Sequence, residues 1–194
     1  KQFGLMPTRE LKKQDNSRQY NFEFGYNSVI TDKVETIKIE LRSRDKSIVL
    51  PIEEHPVQHK FTDPFRNESL IDDGLVKTLS LKEVLADKLA AAINRAKPRD
   101  FYDIDYAIRN NFDFADKFFV EVFKKKLQDD NNETEISKYK DNLGLTSGAI
   151  DNIKYEIPLV LYPVLSIDEQ RNFTIASALK RINIAMQQMI EIER

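Results

Sequence analysis

The sequence predicts an α+β protein: a small mixed or antiparallel sheet followed by a helical bundle. Three observations carry this. Residues 20–26 alternate aromatic and polar side chains with period two. Residues 34–42 repeat that period with aliphatic ones. From Ser80 onward, apolar residues recur every three or four positions. The expected division is a partial sheet region over 1–78 and a helical C-terminal region over 79–194.

Residues 1–18 are polar and rich in Lys and Arg, with Pro7, and predict an entry loop. Tyr20, Phe22, Phe24 and Tyr26 then line one side of a half-buried strand. A turn at Ile30–Lys33 leads to a second strand with Ile37, Ile39 and Leu41 on one face and Lys38, Glu40 and Arg42 on the other. Together they make an antiparallel hairpin. A short strand at Ser47–Ile52 is closed by Pro51. Residues 53–78 then serve as a linker to the helices, with Pro56, Pro64 and an Asp-Asp-Gly turn at 72–74. His55 and His59 stand four apart, but Pro56 argues against a helix between them, so surface loop histidines are expected rather than metal ligands.

Ser80 and Glu83 have the spacing of a capping box, which starts a helix. At about 100° per residue, Leu81, Leu85, Lys88, Leu89 and Ala92 share one arc, so Lys88 falls among aliphatic neighbours. A buried ammonium without a partner is costly. Lys88 must therefore snorkel, pair with a carboxylate or face a ligand anion. Pro98 suits the first turn of a second helix. Asp100 and Asp103 lie near its N-terminus, where the dipole favours carboxylates, and Phe101, Ile104 and Ile108 form its buried stripe. Arg99 and Asp103 are four apart and predict a helical ion pair. An antiparallel arrangement of the two helices would bring Lys88 and Arg95 against Asp100 or Asp103.

A third helix is expected from Phe114, Phe118, Phe119 and Val122, ending at the basic run Lys124–Lys126. Such a run complements the helix dipole or touches an RNA backbone. Residues 128–135 form a loop, Ile136 to Leu143 a short helix closed by Gly144, and Thr146 or Ser147 caps a turn through Ile153. YEIPLVLYPVL, with two prolines, predicts an extended buried connector. One last helix runs from Ile167 to the C-terminus, with Phe173, Ala176, Leu179, Ile182 or Ile184, Met186, Met189 and Ile190 as its stripe.

Composition narrows the function. The 194 residues are 41% hydrophobic and 32% charged, as in a folded globular chain. A net charge of −2 gives no global nucleic-acid signature, so any such contact needs a local patch. The absence of cysteine excludes disulfides and thiolate chemistry and is compatible with a reducing cytoplasm. No run approaches the ~20 apolar residues of a membrane helix.

LKEVLADKL followed by KPRDFYDID resembles the paired late motifs of AbiEii-type toxins, a branch of the nucleotidyltransferases. The match falls on Glu83 and Lys88, then on Arg99, Asp100 and Asp103. The resemblance implies a nucleotidyltransferase palm and transfer of a nucleotide from a nucleoside triphosphate to an RNA or protein acceptor, with Mg2+. Glu40 would be the third metal-side carboxylate, its alternative being an ordinary exposed glutamate between Lys38 and Arg42. Lys88 would bind phosphate, Arg99 would orient Lys88 or the nucleotide, and Asp100 and Asp103 would position them or help deprotonate the acceptor. The family also implies a cytoplasmic toxin or phage-defence protein with an antitoxin or regulator as partner.

The family's first motif, a Gly-Gly or Gly-Ser turn followed by Asp-x-Asp on a strand, has no counterpart in residues 1–33. Asp103 and Asp105 do form a D-x-D, but on a helix they point about 200° apart. Either the catalytic strand lies upstream of Lys1, which the layout favours, or it has been lost. The second alternative describes a non-catalytic partner-binding or regulatory module in which the Lys88/Asp103 cluster is purely structural.

Overall fold

The computed structural model describes residues 6–8, 19–42, 47–56, 65–66, 68 and 74–193. His59 and Asp72–Asp73 of the expected turn lie outside them. The chain forms two compact units, Lys1–Asp45 and Lys46–Arg194.

The first unit is an antiparallel sheet in the order β1–β2–β3, with β1 at Met6–Pro7, β2 at Gln19–Asn27 and β3 at Val34–Arg42. The expected hairpin forms, and its register sets Tyr20, Phe22 and Phe24 opposite Leu41, Ile39 and Ile37, Asn21 opposite Glu40 and Glu23 opposite Lys38. The apolar and polar residues thus separate onto opposite faces, as period two demands. The turn is closed by the Ser28 N–H on the Lys33 carbonyl at 2.9 Å. The edge strand β1 was not expected from the polar entry segment. It pairs Met6 with Gly25, where an added Cβ would lie 2.8 Å from Thr8 Cγ2, so glycine makes the close approach possible.

In the second unit, residues 47–52 are irregular rather than a strand, and the expected linker carries a two-stranded antiparallel ribbon, β4 at Glu53–Pro56 and β5 at Leu75–Thr78. All four residues of β4 are exposed, so no alternation marked it. His55 sits on this strand, with its ring nitrogen 3.0 Å from Glu53.

The helices are α1 (Leu81–Arg95), α2 (Pro98–Arg109), α3 (Lys117–Asp129), α4 (Ser147–Glu156), α5 (Ile167–Asn172) and α6 (Ile175–Glu193). Helix α1 packs against α2 and α3, and α2 against α6. Leu85, Leu89, Phe101, Ile104, Phe119, Phe123, Ile182 and Met186 fill the core between them. Burying side chains of this size is worth roughly 1.5–3 kcal/mol each.

Several helical expectations are corrected. Leu81, Phe118 and Ala176 are exposed. Phe114 precedes α3 and packs edge-on against Phe119, with ring centroids 5.0 Å apart. The connector after Glu156 is not extended. It forms a π turn at Ile157–Leu161 and a 3-10 turn at Tyr162–Val164, with only Ile157 and Leu161 buried. Pro158 and Pro163 each stand second in their turn, and Pro158 follows α4 without a break, where the helix widens to accommodate it. The last helix is two, broken at Phe173, which is buried. Ser166 caps α5 through the Glu169 N–H, and Thr174 accepts the Ser177 N–H at the start of α6.

Candidate functional site

Helix α1 starts where the Ser80 hydroxyl accepts the Glu83 N–H at 3.2 Å. The reciprocal half of the capping box is not made. The Glu83 carboxylate instead accepts the N–H groups of Val49 and Leu50 and pairs with Lys126 of α3, with neither side chain exposed. The basic run at the end of α3 is therefore consumed internally: Lys124 binds Glu193, Lys125 lies 3.4 Å from Asp129, and Lys126 serves Glu83 and the Ser47 carbonyl. Only Lys126 is buried, whereas Lys124 and Lys125 remain 40% exposed. Glu83 tethers the segment entering the second unit to the helical core.

One turn beyond Glu83, the apolar arc of α1 carries Lys88 to the neighbouring helix. Its side chain is 34% exposed, and Nζ lies 2.6 Å from Asp103 Oδ2 and 3.8 Å from Asp100 Oδ1. The corner between the helices brings these groups together. Ala96 takes a left-handed conformation, φ +48° and ψ +46°, with its N–H on the Ala92 carbonyl, and Pro98 opens α2. Asp100 then sits in the first turn of α2 and is fully buried.

Arg95, the last residue of α1, grips Asp100 from the side, with Nε to Oδ2 and Nη2 to Oδ1 both at 2.8 Å. Two charge-assisted bonds and the helix dipole stabilise the carboxylate there. In return, the bond from Asp100 raises Arg95 above the usual arginine range.

Arg99 does not form the predicted pair with Asp103. It is exposed, and its guanidinium reaches the Val160 carbonyl at 3.3–3.4 Å. Asp103 and Asp105 diverge as helical geometry requires. Asp103 faces Lys88, whereas the buried Asp105 accepts Arg109 Nε at 3.0 Å and Arg181 Nε of α6 at 2.6 Å. Glu40 stands on β3 of the first unit, beside Lys38. The bond to Glu40 raises the Lys38 ammonium above its ordinary value.

Beside Asp103 opens a cleft of about 700 Å³, which Lys88 itself does not line. Leu81, Leu85 and Phe112 give it apolar walls, Tyr102 and Tyr106 aromatic ones, and Asp103, Asn110 and Glu169 polar edges. The Tyr102 and Tyr106 ring centroids are 6.0 Å apart, and the Arg109 guanidinium lies 5.5 Å from the Tyr106 centroid. Arg109 also binds Glu169, with Nη2 2.7 Å from Oε2. This holds Glu169 below the ordinary carboxylate range despite opposing burial. Burial, together with the Glu169 charge, raises the Tyr102 hydroxyl.

The structure thus joins Lys88, Asp100 and Asp103, and leaves Arg99 exposed beside Val160. Sequence reasoning missed the cleft residues Tyr102, Tyr106, Phe112 and Glu169. The available signal was two tyrosines four apart on the face of α2 beside Asp103.

The donor set of a divalent ion is not assembled among the described residues: no three His, Cys, Asp or Glu side chains converge. Glu40, the carboxylate expected at the metal, pairs with Lys38 with both side chains about half exposed.

A family model described as the nucleotidyl transferase AbiEii toxin of type IV toxin–antitoxin systems matches residues 3–191. No curated protein matches the chain. The crystal structure of JHP933 from Helicobacter pylori is similar, with a TM-score of 0.51 at 13% identity, over 97% of this chain and 66% of that one. At that identity the likeness is one of fold. The chain spans 66% of the length of that neighbour.

Proposed function

This chain belongs to the AbiEii nucleotidyl transferase toxin family, and from that premise we propose that its second unit binds a nucleoside triphosphate. Lys88 takes the phosphates and the aromatic cleft takes the base. Transfer to an RNA or protein acceptor is the activity this serves.

The observation that carries the reading is the setting of Lys88. Its ammonium is tied by a partly exposed ion pair to Asp103, and Asp103 lines a cleft large enough for a nucleotide. Such a pair is worth about 0–1 kcal/mol, so a polyanion displaces it at little cost. The neighbouring tyrosines offer faces for a base, and Asp103, Asn110 and Glu169 offer polar groups to its edge.

In the transfer, an acceptor hydroxyl oxygen attacks the α-phosphorus, the bond to the bridging oxygen breaks, and pyrophosphate leaves. Lys88 neutralises charge that develops on the departing phosphates. Asp103, released from Lys88, is placed to take the acceptor proton. Asp100 is buried with both oxygens on Arg95, so it acts by positioning rather than by touching the nucleotide. The exposed Arg99 meets the acceptor or the outer phosphates. Mg2+ is part of the proposal, and the described carboxylates do not by themselves gather into a site for it.

Family membership implies an antitoxin partner. Action in the cytoplasm and a role in phage defence form part of the proposal. Among the described residues, no helix is long and apolar enough to cross a membrane.

Titration calorimetry with the four nucleoside triphosphates, followed by incorporation of labelled nucleotide into RNA, tests the reading. Saturable binding lost in Lys88→Met supports it. Binding unaffected by that change contradicts it. Binding without transfer supports a regulatory, partner-binding module instead.

A further inference from the structure

We infer that Arg95 is a positioning residue that decides which carboxylate Lys88 serves, and so keeps Lys88 available to a phosphate ligand. The inference rests on the reading of Lys88 as the phosphate-binding cation.

Two carboxylates lie within reach of Lys88, and they differ in kind. Asp100 is fully buried, whereas Asp103 is 40% exposed and lines the cleft. A buried carboxylate without a countercharge is strongly unfavourable. It therefore captures any cation nearby and does not release it to a ligand. An exposed carboxylate is solvated when its partner leaves, so it releases that partner readily.

Arg95 settles the competition. Its Nε and Nη2 occupy both Asp100 oxygens at 2.8 Å, in the side-on geometry that a guanidinium fork allows and an ammonium does not. With Asp100 satisfied, Lys88 stands 3.8 Å from Oδ1, beyond hydrogen-bond distance, and bonds Asp103 instead. A shift of about 1 Å closes that gap to a charge-assisted bond. Without Arg95, Lys88 is the remaining cation beside Asp100 and is drawn inward, away from the cleft.

The corner between α1 and α2 is built to hold this arrangement. Arg95 ends one helix and Asp100 lies in the first turn of the next, so the guanidinium spans the left-handed turn at Ala96. The segment sets the phosphate cation as well as joining two helices.

The test uses inorganic tripolyphosphate as probe, the intact chain, and the variants Arg95→Gln, Asp100→Asn and their double. Arg95→Gln is expected to weaken tripolyphosphate binding about tenfold. The double R95Q/D100N is expected to return to within about threefold of wild type, because an amide at position 100 no longer captures Lys88. Wild-type affinity in Arg95→Gln overturns the inference. So does an equal loss in single and double variants, which marks Arg95 as merely structural. If Arg95→Gln does not fold, the neutral double decides: a folded double that has lost binding overturns the inference.

A ligand-free measurement separates this inference from the function on which it rests. The coupling between Lys88→Met and Asp100→Asn, read from urea unfolding, is expected to rise about tenfold in unfolding constant when Arg95 is Gln. If wild type takes up no tripolyphosphate, the function proposed above falls, and the coupling still decides the role of Arg95. An unchanged coupling overturns it.

Discussion

Lys126 of α3 and Glu83 of α1 form an ion pair with neither side chain exposed to solvent. Asp87 lies 3.7 Å from the same ammonium, and the Ser47 carbonyl accepts from it. Lys126→Met would leave two carboxylates without their central cation. The expected loss is about 3–5 kcal/mol in urea unfolding, the cost of breaking a buried pair on one side. The double change Glu83→Gln with Lys126→Met is expected to recover part of it.

The same pair predicts acid sensitivity. Burial pushes Glu83 up, but the Lys126 bond and the N–H groups of Leu50 and Val49 outweigh it, and the net shift is below the ordinary 4.5. A lowered folded value means the unfolded chain binds the proton more readily. The stabilisation is therefore full above about pH 4.5 and is lost as pH falls through the folded value. Urea midpoints measured from pH 6 downward should fall in that window, and the fall should be smaller in Glu83→Gln.

Asp105 is the corresponding buried anchor between α2 and α6. It accepts both Arg109 and Arg181. Asp105→Asn removes the charge that two guanidiniums share, and a loss of about 3 kcal/mol is expected by urea unfolding. Because Arg109 also fixes Glu169 at the cleft, nucleotide affinity should fall as well.

Tyr106 is 47% exposed, so its removal costs the fold little. Tyr106→Ala is expected to weaken nucleoside triphosphate binding by about 1–3 kcal/mol, the range for base stacking on an aromatic ring. Tripolyphosphate, which has no base, should bind as before. Calorimetry with both ligands separates the base slot from the phosphate site.

Ala96 holds a left-handed backbone at the α1–α2 corner. Ala96→Gly removes the Cβ clash of that conformation and is expected to stabilise the fold by about 0.5–1 kcal/mol. A rise in melting temperature checks it.

The hairpin was legible because one face of β2 and β3 alternates strictly, α1 because its Ser80 cap and apolar stripe agree, and α2 because Pro98 opens an apolar stripe. The meeting of Lys88 with Asp100 and Asp103 followed from helical periodicity and the short corner at Ala96 and Pro98. The Arg99–Asp103 pair failed because spacing fixes proximity and not the rotamer: Arg99 found the Val160 carbonyl instead. Lys126 misled because it ends a basic run, and only tertiary packing buries it against Glu83. The turns at 157–164 were hidden because prolines that read as breakers are accommodated there by a widened π turn and a 3-10 turn. The β4–β5 ribbon carries no alternation at all.

The central claim is that Lys88 is a ligand cation and not a structural one. Its ion pair with Asp103 is half-exposed on both sides, so Lys88→Met should change stability by less than about 1 kcal/mol. The most direct measurement is the melting temperature of wild type and Lys88→Met, each with and without saturating nucleoside triphosphate. The account predicts near-equal values without ligand and a ligand-induced rise in wild type alone. A Lys88→Met protein that melts far lower without ligand, or that shows the same rise with it, would contradict the account.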